Sequence, residues 1–186
     1  MKKLIAAALA VAALTAWADD TALIAETKMT ALAIPPKLLQ MVQDEIDKGS
    51  YHGAIAACSD KAPKMAAAAS QSTGWAIRRV SLKNRNPKAA PDAWEQAALE
   101  DFDRRRTAGE NAATMEKAEI VSEGGKRTLR YMKALPTQKL CLNCHGSGDQ
   151  LAPEVKAKLT ELYPDDKATG YNEGQVRGAL TVKRPL

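Results

Sequence analysis

Cys141, Leu142, Asn143, Cys144 and His145 place two thiols one helical turn apart, with an imidazole immediately after them. Two thiols at that spacing can add to the two vinyl groups of one haem, and the adjacent imidazole can bind the iron from one side. Composition makes chance a poor rival. With 3 cysteines and 2 histidines in 186 residues, a shuffled chain would hold roughly 5 × 10⁻⁴ such motifs. A redox-active dithiol of thioredoxin type expects a βαβ surround, which is missing here. A structural zinc site built from Cys58, Cys141, Cys144 and His52 lacks the tight paired spacing of zinc knuckles and leaves His145 over. A plain disulfide between Cys141 and Cys144 is the remaining structural reading. The expected cofactor is one covalently attached haem c.

The chain opens MKKLIAAALAVAALTAWADD. Lys2 and Lys3 form a positive start, Leu4 to Leu14 an apolar run too short to span a bilayer, and Ala16-Trp17-Ala18 the small-x-small pattern that signal peptidase cleaves. Residues 1–18 are therefore expected to be a signal peptide and residues 19–186 one exported, periplasmic domain. Haem attachment of the c type happens outside the cytoplasm, so the two expectations support each other, and the haem-maturation machinery becomes an expected partner. Without Lys2 and Lys3, 25 basic residues against 22 acidic leave a net charge of +3. That balance, with no cluster of Lys and Arg interleaved with aromatics, excludes a nucleic-acid binder. No apolar stretch after the leader could span a membrane.

An oxidising compartment makes the third cysteine, Cys58 in GAIAACSD, a problem, because an idle exported thiol tends to pair or oxidise. Coordination to iron would protect it. The sixth position of an attached haem iron has other claimants: His52, the thioethers of Met29, Met41, Met65, Met115 and Met132, or no protein ligand at all. Chemistry alone leaves these open. Haem propionates would take cationic partners, for which Arg78, Arg79, Arg130 and Arg177 lie on or beside predicted strands.

The elements that must position these groups are legible in outline. Thr21 to Lys48 reads as helix interrupted at Pro35-Pro36, closed by Gly49, and Ser50 caps a second helix running through Cys58. Helical turns continue after Pro63. Trp75 to Leu82 reads as a strand stopped by Asn-Arg-Asn-Pro. Asp92 and Glu95 form a capping box for a helix reaching about Gly109. Thr114–Ser122 and Lys126–Leu135 form a hairpin, Pro153 to Leu162 a short helix, and Val176 to Val182 a last strand. Helices first, then antiparallel strands with helical insertions, make an α+β domain.

Five stretches, AIAACSDKAP, GWAIRRVSLKNRNP, PDAWE, CLNCHG and YPDDKATGYNEGQVRGALTV, occur in an order that resembles a bacterial family of single-haem, PAS-like c-type haem domains. The same domains serve as the sensory part of some chemoreceptors and histidine kinases. Ala89 departs from the family pattern, where an asparagine is expected. The resemblance implies a PAS-like antiparallel sheet flanked by helices. It implies covalent attachment through Cys141 and Cys144, His145 as proximal ligand, and Cys58 as the second axial ligand. The function so implied is a mono-haem cytochrome acting in electron transfer or redox sensing through an unidentified periplasmic partner. A diatomic-gas sensor of NO or CO is the alternative. An enzyme is disfavoured, because catalysis wants an open sixth position with distal acid and base groups.

Overall fold

The computed structural model describes residues 20–186; the expected leader and its cleavage pattern lie outside them. A first helix, α1, covers 20–32 and breaks at Ala33. The cause is Pro35 and Pro36, which have no N–H to give and take the first turn of α2, Ile34–Asp47. Gly49 closes α2 in the left-handed region at φ 72°, with the Ser50 N–H on the Glu45 carbonyl at 2.9 Å. Ser50 then starts α3, Tyr51–Ala56, by accepting the Gly53 N–H at 3.0 Å.

The chain does not stop at Cys58. Residues Ala57–Lys61 form a π turn, in which the Ala62 N–H reaches back to the Ala57 carbonyl, and α4, Ala62–Thr73, follows without a break. Pro63 supplies the reason. It cannot donate to Ser59, and its ring crowds that carbonyl, so the helix widens by one residue rather than ending.

Four strands make one antiparallel sheet in the order β1-β4-β3-β2. They are β1 Ala76–Val80, β2 Glu116–Glu123, β3 Lys126–Pro136 and β4 Val176–Pro185. Gly124 and Gly125, at φ 60° and 77°, supply the two left-handed residues that a two-residue hairpin between β2 and β3 needs. On one face lies α5, Ala93–Thr107, whose Leu99 and Phe102 pack with Val80, Met115, Met132 and Ala179. The other face is covered by the N-terminal helices, with Ala31, Ile34 and Ala69 on Ile77, Tyr131, Leu180 and Val182. The fold is thus α+β, an antiparallel sheet flanked by helices, as the order of elements implied. The first and last strands differ in extent from the sequence expectation: β1 is shorter, and β4 runs on to Pro185.

The capping box at the start of α5 is the centre of an ionic network. Asp92 accepts the Glu95 N–H, and Glu95 accepts the Asp92 N–H, both at 2.9 Å. The fully buried Glu95 carboxylate also takes Arg78 and, at 3.0 Å, the Thr181 hydroxyl. Arg130 pairs with Asp92 at 2.6 Å and lies 3.5 Å from Glu95. Removing a buried partner leaves the others uncompensated. Glu95→Ala is therefore expected to cost about 3–5 kcal/mol of unfolding free energy in urea denaturation; a loss under about 1 kcal/mol would contradict the network's importance. Burial opposes ionisation of Asp92, but the Glu95 N–H, Lys183 and Arg130 together hold its carboxyl well below the ordinary value. A lowered folded-state value stabilises above the ordinary carboxylate pKa, and the stabilisation is lost as pH falls towards the lowered one. Asp92→Asn should accordingly flatten the acid limb of stability against pH, and an unchanged limb would assign that limb elsewhere.

Candidate functional site

The CLNCH segment sits between β3 and α7, Pro153–Leu162. A 3-10 turn, Lys139–Cys141, runs into a single α turn, α6, Leu142–His145. Gly146 ends it: a Cβ there would lie 2.7 Å from the Leu142 carbonyl oxygen. Cys141 and Cys144, three apart on this turn, share a side.

His145 is buried, and its Nδ1 lies 2.7 Å from the Ala168 carbonyl oxygen. A carbonyl only accepts, so Nδ1 carries the proton and Nε2 keeps the lone pair that binds a metal. Burial, with Arg177 and Arg85 nearby, lowers the pKa of the ring well below its ordinary value. The ring is thereby held neutral, the form that ligates. Two backbone bonds tie the residue to the loop before β4, from the Tyr171 N–H to the His145 carbonyl at 2.9 Å and from the Gly170 N–H to the Gly146 carbonyl at 2.8 Å. The Tyr171 ring stands edge-on to the imidazole, 6.4 Å between centroids.

The helix carrying Cys58 packs directly on this segment. Leu140 lies against a cluster containing Ala54, Ala57 and Val42. Cys144 joins Ile55, Leu151, Val155, Leu159 and Tyr163. Burial raises the Cys144 thiol to about 11. Cys58 itself has an exposed side chain, yet burial is the main cause that raises its thiol pKa. Accessibility governs what can reach the sulfur, and the surrounding protein governs its charge. Cys141, Arg79, Arg85 and Arg177 all act electrostatically on Cys58, and the same three arginines act on His145. The structure thus brings Cys58, Cys141, Cys144 and His145 into one neighbourhood, with the widened π turn presenting Cys58.

Several sequence candidates fall elsewhere. Arg78 and Arg130 belong to the Asp92–Glu95 network on the α5 face, because alternate residues of a strand face opposite sides. Arg79, next to Arg78 on β1, faces the other way, and Arg177 lies near Tyr171 with its guanidinium 5.1 Å from the ring centre. His52 is exposed. Met115 and Met132 are fully buried in the α5-side core, and Met29 is 73% exposed. Among the described residues, no three His, Cys, Asp or Glu side chains converge closely enough to hold a metal ion by themselves.

Arg85 was not among the sequence candidates, since Asn-Arg-Asn-Pro reads as a turn. Its Nε donates to Asp166 at 2.9 Å and its Nη2 to the Cys144 carbonyl at 2.6 Å. Arg177 is buried, donates from Nη1 to Ser81 Oγ at 3.1 Å and the Lys83 carbonyl at 3.3 Å, and keeps an Nε with no acceptor. Burial, then Arg79, lowers its pKa, against an opposing contribution from Tyr171. Among the described residues no carboxylate pairs with Arg79 or Arg177, whereas Arg85 has Asp166. An imidazole Nε2, a thiol, two further thiols and two uncompensated guanidinium groups form a donor set that suits a metal macrocycle bearing carboxylates. A recess of about 750 Å³ lies against Ile46, Leu140, Leu142 and Asn143, and is lined by none of the three cysteines nor by His145.

The profile of the Tll0287-like family matches residues 7–185. Among solved structures, the chain resembles that of the cyanobacterial heme-protein Tll0287, with a TM-score of 0.65 and 26% sequence identity, over 86% of this chain and 95% of that one. Curated proteins offer no match.

Proposed function

The chain belongs to the Tll0287-like family, and from that membership we propose that it binds one haem c and works as an exported, periplasmic electron carrier or redox sensor. The observation that supports this most directly is the packing of the Cys58 helix on a CxxCH segment whose histidine is neutral, buried and oriented through Nδ1. Cys141 and Cys144 would hold the group by thioether bonds, His145 Nε2 and Cys58 Sγ would ligate its iron, and Arg79 and Arg177 would meet its carboxylates. The bound group would supply a one-electron ferric/ferrous couple. The PAS-like sheet would serve as the frame through which a redox-linked change at Cys58 reaches a partner.

A thiolate ligand favours ferric iron and lowers the potential, where a thioether raises it. It also closes the sixth position, which fits a carrier or sensor and not a catalyst. Protonation at Cys58 Sγ on reduction would weaken its hold and open that position. Expression with the haem-maturation machinery tests the reading. A c-type pyridine haemochrome with one haem per chain and a low-spin ferric spectrum is expected. A protein that emerges without haem overturns the proposal, and a high-spin ferric spectrum overturns the closed site.

A further inference from the structure

Arg85 and Asp166 form an ion pair that is 12% and 13% exposed, between the turn after β1 and the loop before β4. Two residues after Asp166, Ala168 is fully buried and its carbonyl accepts the Nδ1–H of His145 at 2.7 Å. Both members of the pair hold that carbonyl in place. Asp166 Oδ1 accepts the Ala168 N–H at 2.8 Å, and Arg85 Nη2 lies 3.4 Å from the Ala168 oxygen. The same Nη2 donates at 2.6 Å to the carbonyl of Cys144, the residue before His145. One guanidinium therefore reaches both sides of the histidine: the peptide that carries it and the acceptor that orients its ring.

We propose that the Arg85–Asp166 pair is the positioning device for His145 and sets, through charges of opposite sign, the reduction potential of the group His145 binds. This rests on the haem reading above. A stronger acceptor at Nδ1 makes the imidazole a better donor to the metal. Arg85 draws on the lone pairs of the same carbonyl and weakens that effect, while Asp166 neutralises Arg85. In a site this little exposed, neither charge is well screened. Loss of Arg85 leaves a carboxylate that favours ferric iron, and loss of Asp166 leaves a cation that favours ferrous iron.

Reduction potentials of the haem-loaded full chain test this. Arg85→Gln is expected to lower the potential and Asp166→Asn to raise it. Each should change the reduced-to-oxidised ratio at fixed ambient potential by about tenfold, which is 59 mV for one electron. The double substitution should return close to the unsubstituted protein. A merely structural pair would loosen His145 in every variant, so single substitutions that shift the potential in the same direction, or not at all, overturn the proposal. Should a single variant fail to fold, Arg85→Lys carries the test. It keeps the charge and loses the fork, so the ratio should stay within about twofold while the ferric electron-resonance g-values move; unmoved g-values overturn the positioning role. Absence of a c-type haemochrome in the unsubstituted chain would sink the haem reading itself, whereas same-sign shifts in a haem-loaded protein sink this inference alone.

Discussion

A chain in which Cys141 and Cys144 are both alanine is expected to carry no covalently bound haem after expression with the maturation machinery. Acid–acetone extraction should leave the polypeptide colourless. The thioether bonds require these two sulfurs, and the third cysteine cannot substitute. Cys58 lies on a separate helical segment, the π turn Ala57–Lys61. The variant should still fold. The two principal clusters, around Phe102 and around Tyr131, contain neither residue, and only the small cluster around Ile55 loses a half-buried member at Cys144. A deletion of this kind costs about 1 kcal/mol or less at a partly buried site. Haem retained through acid–acetone extraction would refute the attachment assignment.

Cys58→Ala should have the second largest effect, and a spectroscopic one. A low-spin ferric spectrum with a thiolate signature should give way to one with water or His52 in the thiolate's place, and the potential should rise with loss of the anionic ligand. The core methionines Met115 and Met132 lie in the cluster on the α5 side of the sheet. Water or His52 is the expected replacement. The backbone change is small, because the π turn depends on Pro63 and the Ala62–Ala57 bond rather than on the thiol. A ferric spectrum identical to that of the unsubstituted protein would remove Cys58 from the site.

Much of the frame was legible residue by residue because its causes are local. Asp92 and Glu95 cap each other across three residues, Ser50 caps Gly53, and Gly124-Gly125 turn the hairpin, each within a single turn of chain. The break before Pro35 and Pro36 follows from two missing donors. The π turn was not legible, since Pro63 after a helical run reads equally as a boundary, and the Ala62–Ala57 bond that carries the helix past it is visible only in the structure. Ala89, the departure from the family pattern, keeps a regular place. Its N–H donates to the Asn86 carbonyl, and its own carbonyl accepts the Ser81 N–H at 3.0 Å.

The donor groups of the proposed site stand in the chain itself: two thiols three apart, an imidazole next to them, and a third thiol far upstream. Residue type and short spacing decide what bonds are possible, and both are local. Which cations lie near the proposed site is decided by the tertiary structure alone. Arg78 and Arg79 are neighbours in sequence, but the pleat sends Arg78 to Glu95 and Arg79 to the opposite face. Arg85 meets Cys144 across 59 positions and Asp166 across 81, and Ala168 orients His145 across 23. No local period or propensity encodes such separations. They exist because burial of the two faces of one sheet fixes where its loops must meet.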